Sequence, residues 1–353
     1  MAVGIVFQIV TPEQLTGTPF FVVAPLMAAP FYGWRATLGF GVAGLAAALA
    51  MDALSETMGG TAAAHDLATE LTSIGFATAM AVVLNRAAVR SQAQVAAARG
   101  VAEAAQRAVL PAAAERIGAL RLGTHYEAAR QDTLVGGDLY GARDTPYGTR
   151  LLIGDVRGKG LEAIETVSII LGAFWETADR ADTLTEVADD LERALAREAA
   201  RRWGYGDAED FATCVLVEIP DEADRFHTLN LGHPPPLLLT ADGTVSELSP
   251  QAFSVPLGLS RLTATSLTPD SWAFPPGAML LLYTDGLSEA RDEDGEFYDP
   301  VERLAGRAFS SPKRLIGSVI KDVRRHTGGL PADDMALLAV QRPSGRADQT
   351  PDH

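Results

Sequence analysis

Cysteine is nearly missing from this chain, and charge is nearly missing from its first quarter. Cys214 is the single cysteine in 353 residues. That excludes an intrachain disulfide and a zinc site built on cysteines. Its surroundings, Phe211-Ala212-Thr213-Cys214-Val215-Leu216-Val217, read as a buried strand carrying a packed, inert thiol. Before Arg86 the one basic side chain is Arg35. Basic residues are the minority throughout, 29 Lys and Arg against 45 Asp and Glu, for a net charge of −16. A nucleic-acid binder needs a basic footprint, so no nucleic-acid partner is expected. There is neither a basic start nor a small-residue cleavage site after one apolar run, so no signal peptide is expected.

What the first quarter does contain is apolar length. Residues 17–32 and 36–51 are uncharged apolar runs, and residues 67–84 carry only Glu70. Each reaches the short end of what crosses a bilayer core of ~30 Å. Pro19, Pro25 and Pro30 weaken the first. Three such runs in succession predict a membrane region over residues 1–85 with about three transmembrane helices. The alternative is a set of buried helices in a soluble domain. The apolar stretch Met1 to Val10 suits an interfacial segment or part of a first span. Arg35 and Arg86 flank loops on one side, whereas the loop from Asp52 to Asp66 carries only acids. The positive-inside rule then places the remainder of the chain in the cytoplasm, attached to a multi-pass cell-membrane anchor.

Residues 86–111 predict a linker helix ended by Pro111. Val95, Ala98, Ala102, Ala105 and Val109 recur at alternating three- and four-residue steps, a short heptad-like seam that would support a homodimer. A solvated alanine-rich helix is the equal alternative. The tail, residues 343–353, is polar and expected to be disordered.

Between them, residues 112–342 alternate short apolar runs with helical patterns. Runs at His125–Ala129, Leu151–Ile153, Phe211–Ile219, Phe226–Leu231, Pro236–Thr240, Met279–Tyr283 and Met335–Val340 read as strands. Leu161–Ala178, Thr183–Trp203, Pro300–Phe309 and Pro312–His326 read as helices, with Thr183 and Glu186 as a capping box and Pro312 at a helix start. Strands flanking two helical pairs imply an α+β fold with antiparallel sheets covered by helices.

Four separate places put a carboxylate at a strand terminus. Gly136-Gly137-Asp138 opens one apolar run, and Asp155 closes another before Val156-Arg157-Gly158-Lys159-Gly160. Leu280-Leu281-Leu282-Tyr283-Thr284 leads into Asp285-Gly286. Asp333-Asp334 precedes the last run. One Asp-Gly is a turn; four loci with one pattern suggest a site for a hard cation. If the first two runs pair as a hairpin, Asp138 and Asp155 lie together near a sheet edge.

These pieces, with Leu231-Gly232-His233-Pro234-Pro235, stand in an order that resembles the metal-dependent protein phosphatase (PPM) superfamily, in its bacterial SpoIIE-like branch. The resemblance covers roughly residues 105–342. It implies an α-β-β-α sandwich and a protein serine/threonine phosphatase holding two Mn²⁺ or Mg²⁺ ions. In that pattern Asp155 bridges both ions, the Val156 carbonyl is a further ligand, Asp285 and Asp333 complete one ion, and Asp138 helps hold the other. Asp334 is a neighbour or outer group. The ions polarise phosphoryl oxygens and acidify water for in-line attack, so the four aspartates carry the catalysis. The implied partner is a phosphorylated signalling protein, an anti-anti-sigma factor of the STAS type or one like it. Ala336 stands where many relatives carry Thr, which removes a hydroxyl near the site.

Arg157 and Lys159 flank Asp155 and suit either phosphate or solvent. His233 suits a loop-stabilising role better than proton donation. A catalytically weak, membrane-tethered regulatory binding module is the competing function. A diguanylate cyclase fits poorly, because Leu139-Tyr140 replaces the Glu-Phe of its signature and Asp285 and Asp333 go unexplained.

Overall fold

The computed structural model describes residues 18–57, 64–110, 114–128, 136–203, 211–221, 224–262, 266–329 and 333–344. The stretch Met1 to Val10, Val135, and residues 345–353 of the predicted tail lie outside the described residues, as do the side chains of Ala98, Ala102, Ala105 and Val109. The chain divides into two compact units, residues 1–98 and 99–353.

In the first unit helix α1 spans Thr18–Ala28, α2 Trp34–Thr57 and α3 begins at Ala64. A small core of Phe21, Ala48 and Ile74 joins them. Asn85 Nδ2 donates to the carbonyls of Ala29 and Tyr32, at 2.6 and 2.9 Å, and so holds the chain leaving α1. The guanidinium groups of Arg35 and Arg86 lie 5.4 and 4.4 Å from the centre of the Trp34 ring, which gathers the basic residues at one end. Among the described residues, two helices, over Trp34–Leu54 and Leu67–Val95, are long and apolar enough to cross a membrane. Helix α1 has 11 described residues with Pro25 inside it, about 16 Å at 1.5 Å per residue, and the residues before Thr18 lie outside the described residues. The third apolar run and the linker are not separate. They form one helix, Ala64–Val109, of 46 residues. No proline interrupts it before Pro111, and the change from apolar to charged surface at Asn85-Arg86 leaves the backbone helical.

The second unit is a sandwich of two antiparallel sheets. Its strands are β1 Arg116–Ile117, β2 Leu120–Glu127, β3 Asp138–Thr145, β4 Gly148–Val156, β5 Ala212–Ile219, β6 Arg225–Leu231, β7 Leu237–Leu239, β8 Val245–Glu247, β9 Asp270–Ala273, β10 Met279–Tyr283 and β11 Met335–Gln341. One sheet has the order β1-β2-β11-β10-β7-β8 and the other β3-β4-β5-β6-β9. Helices α4 (Leu161–Thr177) and α5 (Leu184–Trp203) pack on the second sheet. Helices α7 (Pro300–Leu304) and α8 (Pro312–His326) belong with the first, α8 resting on β2 and β11. A short α6, Asp285–Ser288, follows β10. The α-β-β-α layering is the expected one.

The central strands show why their sequences are continuously apolar. Ala336, Leu338 and Val340 of β11 face the core between the sheets, while Met335, Leu337 and Ala339 face the core under α8. Leu280 and Leu282 of β10 divide from Met279, Leu281 and Tyr283 in the same way. Alternation still exists, but both faces are dry. Half of the capping box is present, Thr183 Oγ1 accepting the Glu186 N–H at 3.2 Å, while the Glu186 carboxylate reaches one residue further back, to the Asp182 N–H at 2.8 Å. The Pro300–Phe309 helix is shorter than expected: Ala305, at ψ 135°, leaves helical conformation and Gly306, at φ 74°, completes the turn. Arg150 in β4 is fully buried. It donates to Glu218 on β5 at 2.8 and 2.5 Å and to the carbonyls of Ala178 and Ala181 at 2.9 and 2.6 Å, tying the α4–α5 turn to the sheet.

Candidate metal centre

β3 and β4 form a hairpin whose register pairs Asp138 with Asp155 at its open end. The next strand pairs Thr213 with Asp155. Directly paired residues share a face of a sheet, so Asp138, Asp155 and Thr213 form a row across three strands. From the other sheet, β10 ends at Tyr283, and Thr284 leads into Asp285, the first residue of α6. The expected Asp-Gly turn is thus a helix start. One carboxylate oxygen from each of Asp138, Asp155 and Asp285 lies within 4.8 Å of the other two. Asp333 and Asp334, at the entrance to β11, are outside this trio but close enough to act on its charges.

Main chain is packed against main chain here, and this accounts for the glycines. The Gly137 carbonyl accepts the Val156 N–H at 3.1 Å. A methyl group on Gly137 would strike the Val156 carbonyl, one on Gly136 the Asp334 carboxylate, and one on Gly286 the Asp334 carbonyl. These three positions are set by close approach rather than by positive φ.

Two polar ties cross from one sheet to the other. Thr284 Oγ1 donates to Asp138 Oδ2 at 2.7 Å and accepts the Ala336 N–H at 2.9 Å. Thr284 thus joins Asp138 of one sheet to the Ala336 main chain of the other. The second tie is His233, whose ring bridges Thr213 Oγ1 at 2.9 Å and the Tyr283 carbonyl at 3.1 Å. Sequence reasoning passed over Thr213 and Thr284. The one available signal was a hydroxyl adjoining each core strand at the end where the aspartates lie.

The electrostatics are those of crowded acids. Asp138 is 2% exposed. Burial, and then the facing Asp155, hold its carboxyl well above the usual range. Asp155 is pushed up to about 7, by burial first and then by Asp285, Asp333 and Asp334. Asp285 is raised by burial, then by Glu289 and Asp333. Asp333 is the open member, 53% exposed. Its Oδ1 accepts from Lys159 Nζ at 2.7 Å and from the Asp334 N–H at 3.0 Å. Arg157 is exposed, with its guanidinium 5.4 Å from the centre of the Phe211 ring. Cys214 is buried and its thiol is pushed far up by that burial, which makes it no nucleophile.

Hard oxygen donors whose proton affinity is raised by crowding suit Mg²⁺ or Mn²⁺. Such an ion replaces the protons and removes the like-charge repulsion. The residues present therefore fit the implied metal.

A two-sheet sandwich with flanking helices and an aspartate cluster at one end defines the PP2C-like, or PPM, class. More specifically, residues 145–343 match the family model described as Stage II sporulation protein E (SpoIIE), and the chain belongs to that family. It is similar to the crystal structure of the RsbU and RsbW domains of Rv1364c from Mycobacterium tuberculosis, at 28% identity and a TM-score of 0.52, over 64% of this chain and 61% of that one. The SiaA PP2C domain of Pseudomonas aeruginosa shares the fold, at 17% identity and a TM-score of 0.57, over 71% of this chain and 98% of that one. So does the PP2C phosphatase domain and regulatory fragment of SpoIIE from Bacillus subtilis, at 19% identity and a TM-score of 0.51, over 64% of each chain. Protein IcfG of a Synechocystis strain is 28% identical over 142 residues, 39% of this chain and 22% of IcfG. The chain thus spans about a fifth of that relative's length.

Proposed function

We propose that this protein is a membrane-attached protein serine/threonine phosphatase with its sandwich in the cytoplasm. Its substrate is a phosphorylated signalling protein, an anti-anti-sigma protein of the STAS type. Membership of the SpoIIE family and the likeness to an RsbU–RsbW structure support this partner. The two long apolar helices support the attachment. The heptad-like spacing in α3 supports a homodimer.

The observation that carries the reading is the Asp138, Asp155 and Asp285 cluster, with its oxygens within 4.8 Å of one another. Asp155, the Val156 carbonyl, Asp138, Asp285 and Asp333 would hold two Mn²⁺ or Mg²⁺ ions, with Asp334 beside them. When bound, such ions supply positive charge that polarises a phosphoryl group and acidifies water. The chain's own part is to hold these carboxylates at fixed spacing, to release their protons when a cation arrives, and to free Asp333 from Lys159. The thiol takes no part.

The test is phosphate release from a phosphoserine-bearing STAS protein by the purified full chain. Release should need Mn²⁺ or Mg²⁺ and stop in EDTA. Metal-independent release, or an Asp155→Asn protein as active as wild type, would show the reading to be wrong.

A further inference from the structure

His233 is a buried polar side chain that the proposed chemistry leaves without a task. It is 5% exposed, and its main chain is fixed on both sides by one side chain. Asn230 Oδ1 accepts the His233 N–H, and Asn230 Nδ2 donates to the His233 carbonyl, each at 2.9 Å. The neutral ring has one tautomer that satisfies both partners. Nε2 faces the Tyr283 carbonyl at 3.1 Å, and a carbonyl only accepts, so Nε2 carries the hydrogen. Nδ1 is then an acceptor for the Thr213 hydroxyl at 2.9 Å. Burial holds the ring neutral, its pKa lowered to about 3, so it offers no imidazolium to a leaving group.

The partners matter because of where they lie. Thr213 is the strand neighbour of Asp155. Tyr283 ends β10, two residues before Asp285. On the other side of Asp155, its neighbour Asp138 is bonded to Thr284, the residue between Tyr283 and Asp285. Asp155 is therefore bracketed by two ties between the sheets, Thr284 to Asp138 and Thr213 through His233 to Tyr283. We infer that His233 is a positioning residue that, with Thr213, fixes the separation of Asp155 from Asp285 and so sets the affinity of the site for its metal. The inference rests on the metal-centre reading above. Groups that orient metal ligands from behind commonly carry about 10–100-fold in metal affinity or activity.

The test is calorimetric titration of the full chain with Mn²⁺, separate from any hydrolysis assay. Thr213→Val removes the hydroxyl at nearly constant volume. His233→Leu removes both ring nitrogens, and with them the bonds to Thr213 and to the Tyr283 carbonyl. Each should weaken Mn²⁺ binding by about tenfold or more, and the double variant should be no worse than the more affected single one. Thr213→Ser restores the hydroxyl and should bind as wild type does. A merely structural histidine would lower the thermal midpoint and leave the Mn²⁺ affinity of the folded protein unchanged. Wild-type Mn²⁺ affinity in folded Thr213→Val overturns the inference, whatever phosphate release is observed. A wild type that binds Mn²⁺ but releases no phosphate overturns the phosphatase reading instead, and the affinity differences between variants still decide this one.

Discussion

The candidate centre has a buried half and an open half. Asp138, buried, and Asp155, half-buried, sit opposite each other in a hairpin ladder and are held by backbone register. Asp333 stands at the mouth of β11, 53% exposed, paired with a lysine that is itself 40% exposed. The buried half cannot adjust without moving a strand, and its like charges cost most when no cation is bound. The open half exchanges partners at little cost. A site built this way is fixed at its base and adjustable at its rim, so substitutions should grade in effect from one half to the other.

The largest effect is expected at the base. Asp155→Asn removes a charge at the centre of the cluster and should lower phosphate release by more than about 100-fold, the upper end of what a supporting group carries. A smaller loss than Lys159→Met produces would invert the comparison. Next is Gly136→Ala, whose methyl meets the Asp334 carboxylate. Overpacking of this kind costs about 1–3 kcal/mol, to be read by urea denaturation in EDTA. An unchanged midpoint would show that the acids have room to move.

The pH dependence of the metal-free protein comes third. The ordinary value for Asp155 is 3.8 and here it is about 7. Between these values the folded protein holds a proton that the unfolded chain gives up. This group's contribution to stability therefore falls as pH rises from about 4 to about 7 and levels off above. In EDTA the thermal midpoint should drop from pH 5 to pH 8 more in wild type than in Asp155→Asn, and Mn²⁺ should remove the difference. Parallel profiles would show that burial does not govern this carboxyl.

The smallest effect belongs to the rim. An exposed pair such as Lys159–Asp333 is worth about 0.2–1 kcal/mol. Lys159→Met should leave the thermal midpoint nearly unchanged and lower the Mn²⁺ concentration for half-saturation by at most about fivefold. A higher requirement would mean that the ammonium supports the metal rather than competing with it.

Much of this was legible in the residues. The apolar runs located most of the long strands, because a strand dry on both faces is written as an unbroken run. The four aspartate loci came from turn grammar, since glycine beside a carboxylate marks places where backbones approach. What stayed hidden depended on pairing. Thr213 matters through its register with Asp155, and Thr284 through a bond to a residue 146 positions earlier. Neither relation has a local signature. The join of the third apolar run to the linker is obscured for another reason: side-chain polarity changes at Asn85-Arg86, where the backbone has no boundary. The strands β1, β8 and β9 were missed because two to four residues are too few to show alternation.

The lone thiol finally acquires a use as an instrument. Cys214 follows Thr213 on β5 and pairs with Gly154, the residue before Asp155. A side chain on Gly154 would collide with the Thr213 carbonyl and with Cys214 itself, so the two strands are sealed there. A thiol reagent can reach the sulfur only when the packing that buries it opens. With no second cysteine to react, the labelling rate of the native sequence is a clock for the opening of the core beside the strand that pairs with Asp155. It can be read with and without metal, and without introducing a single reporter group.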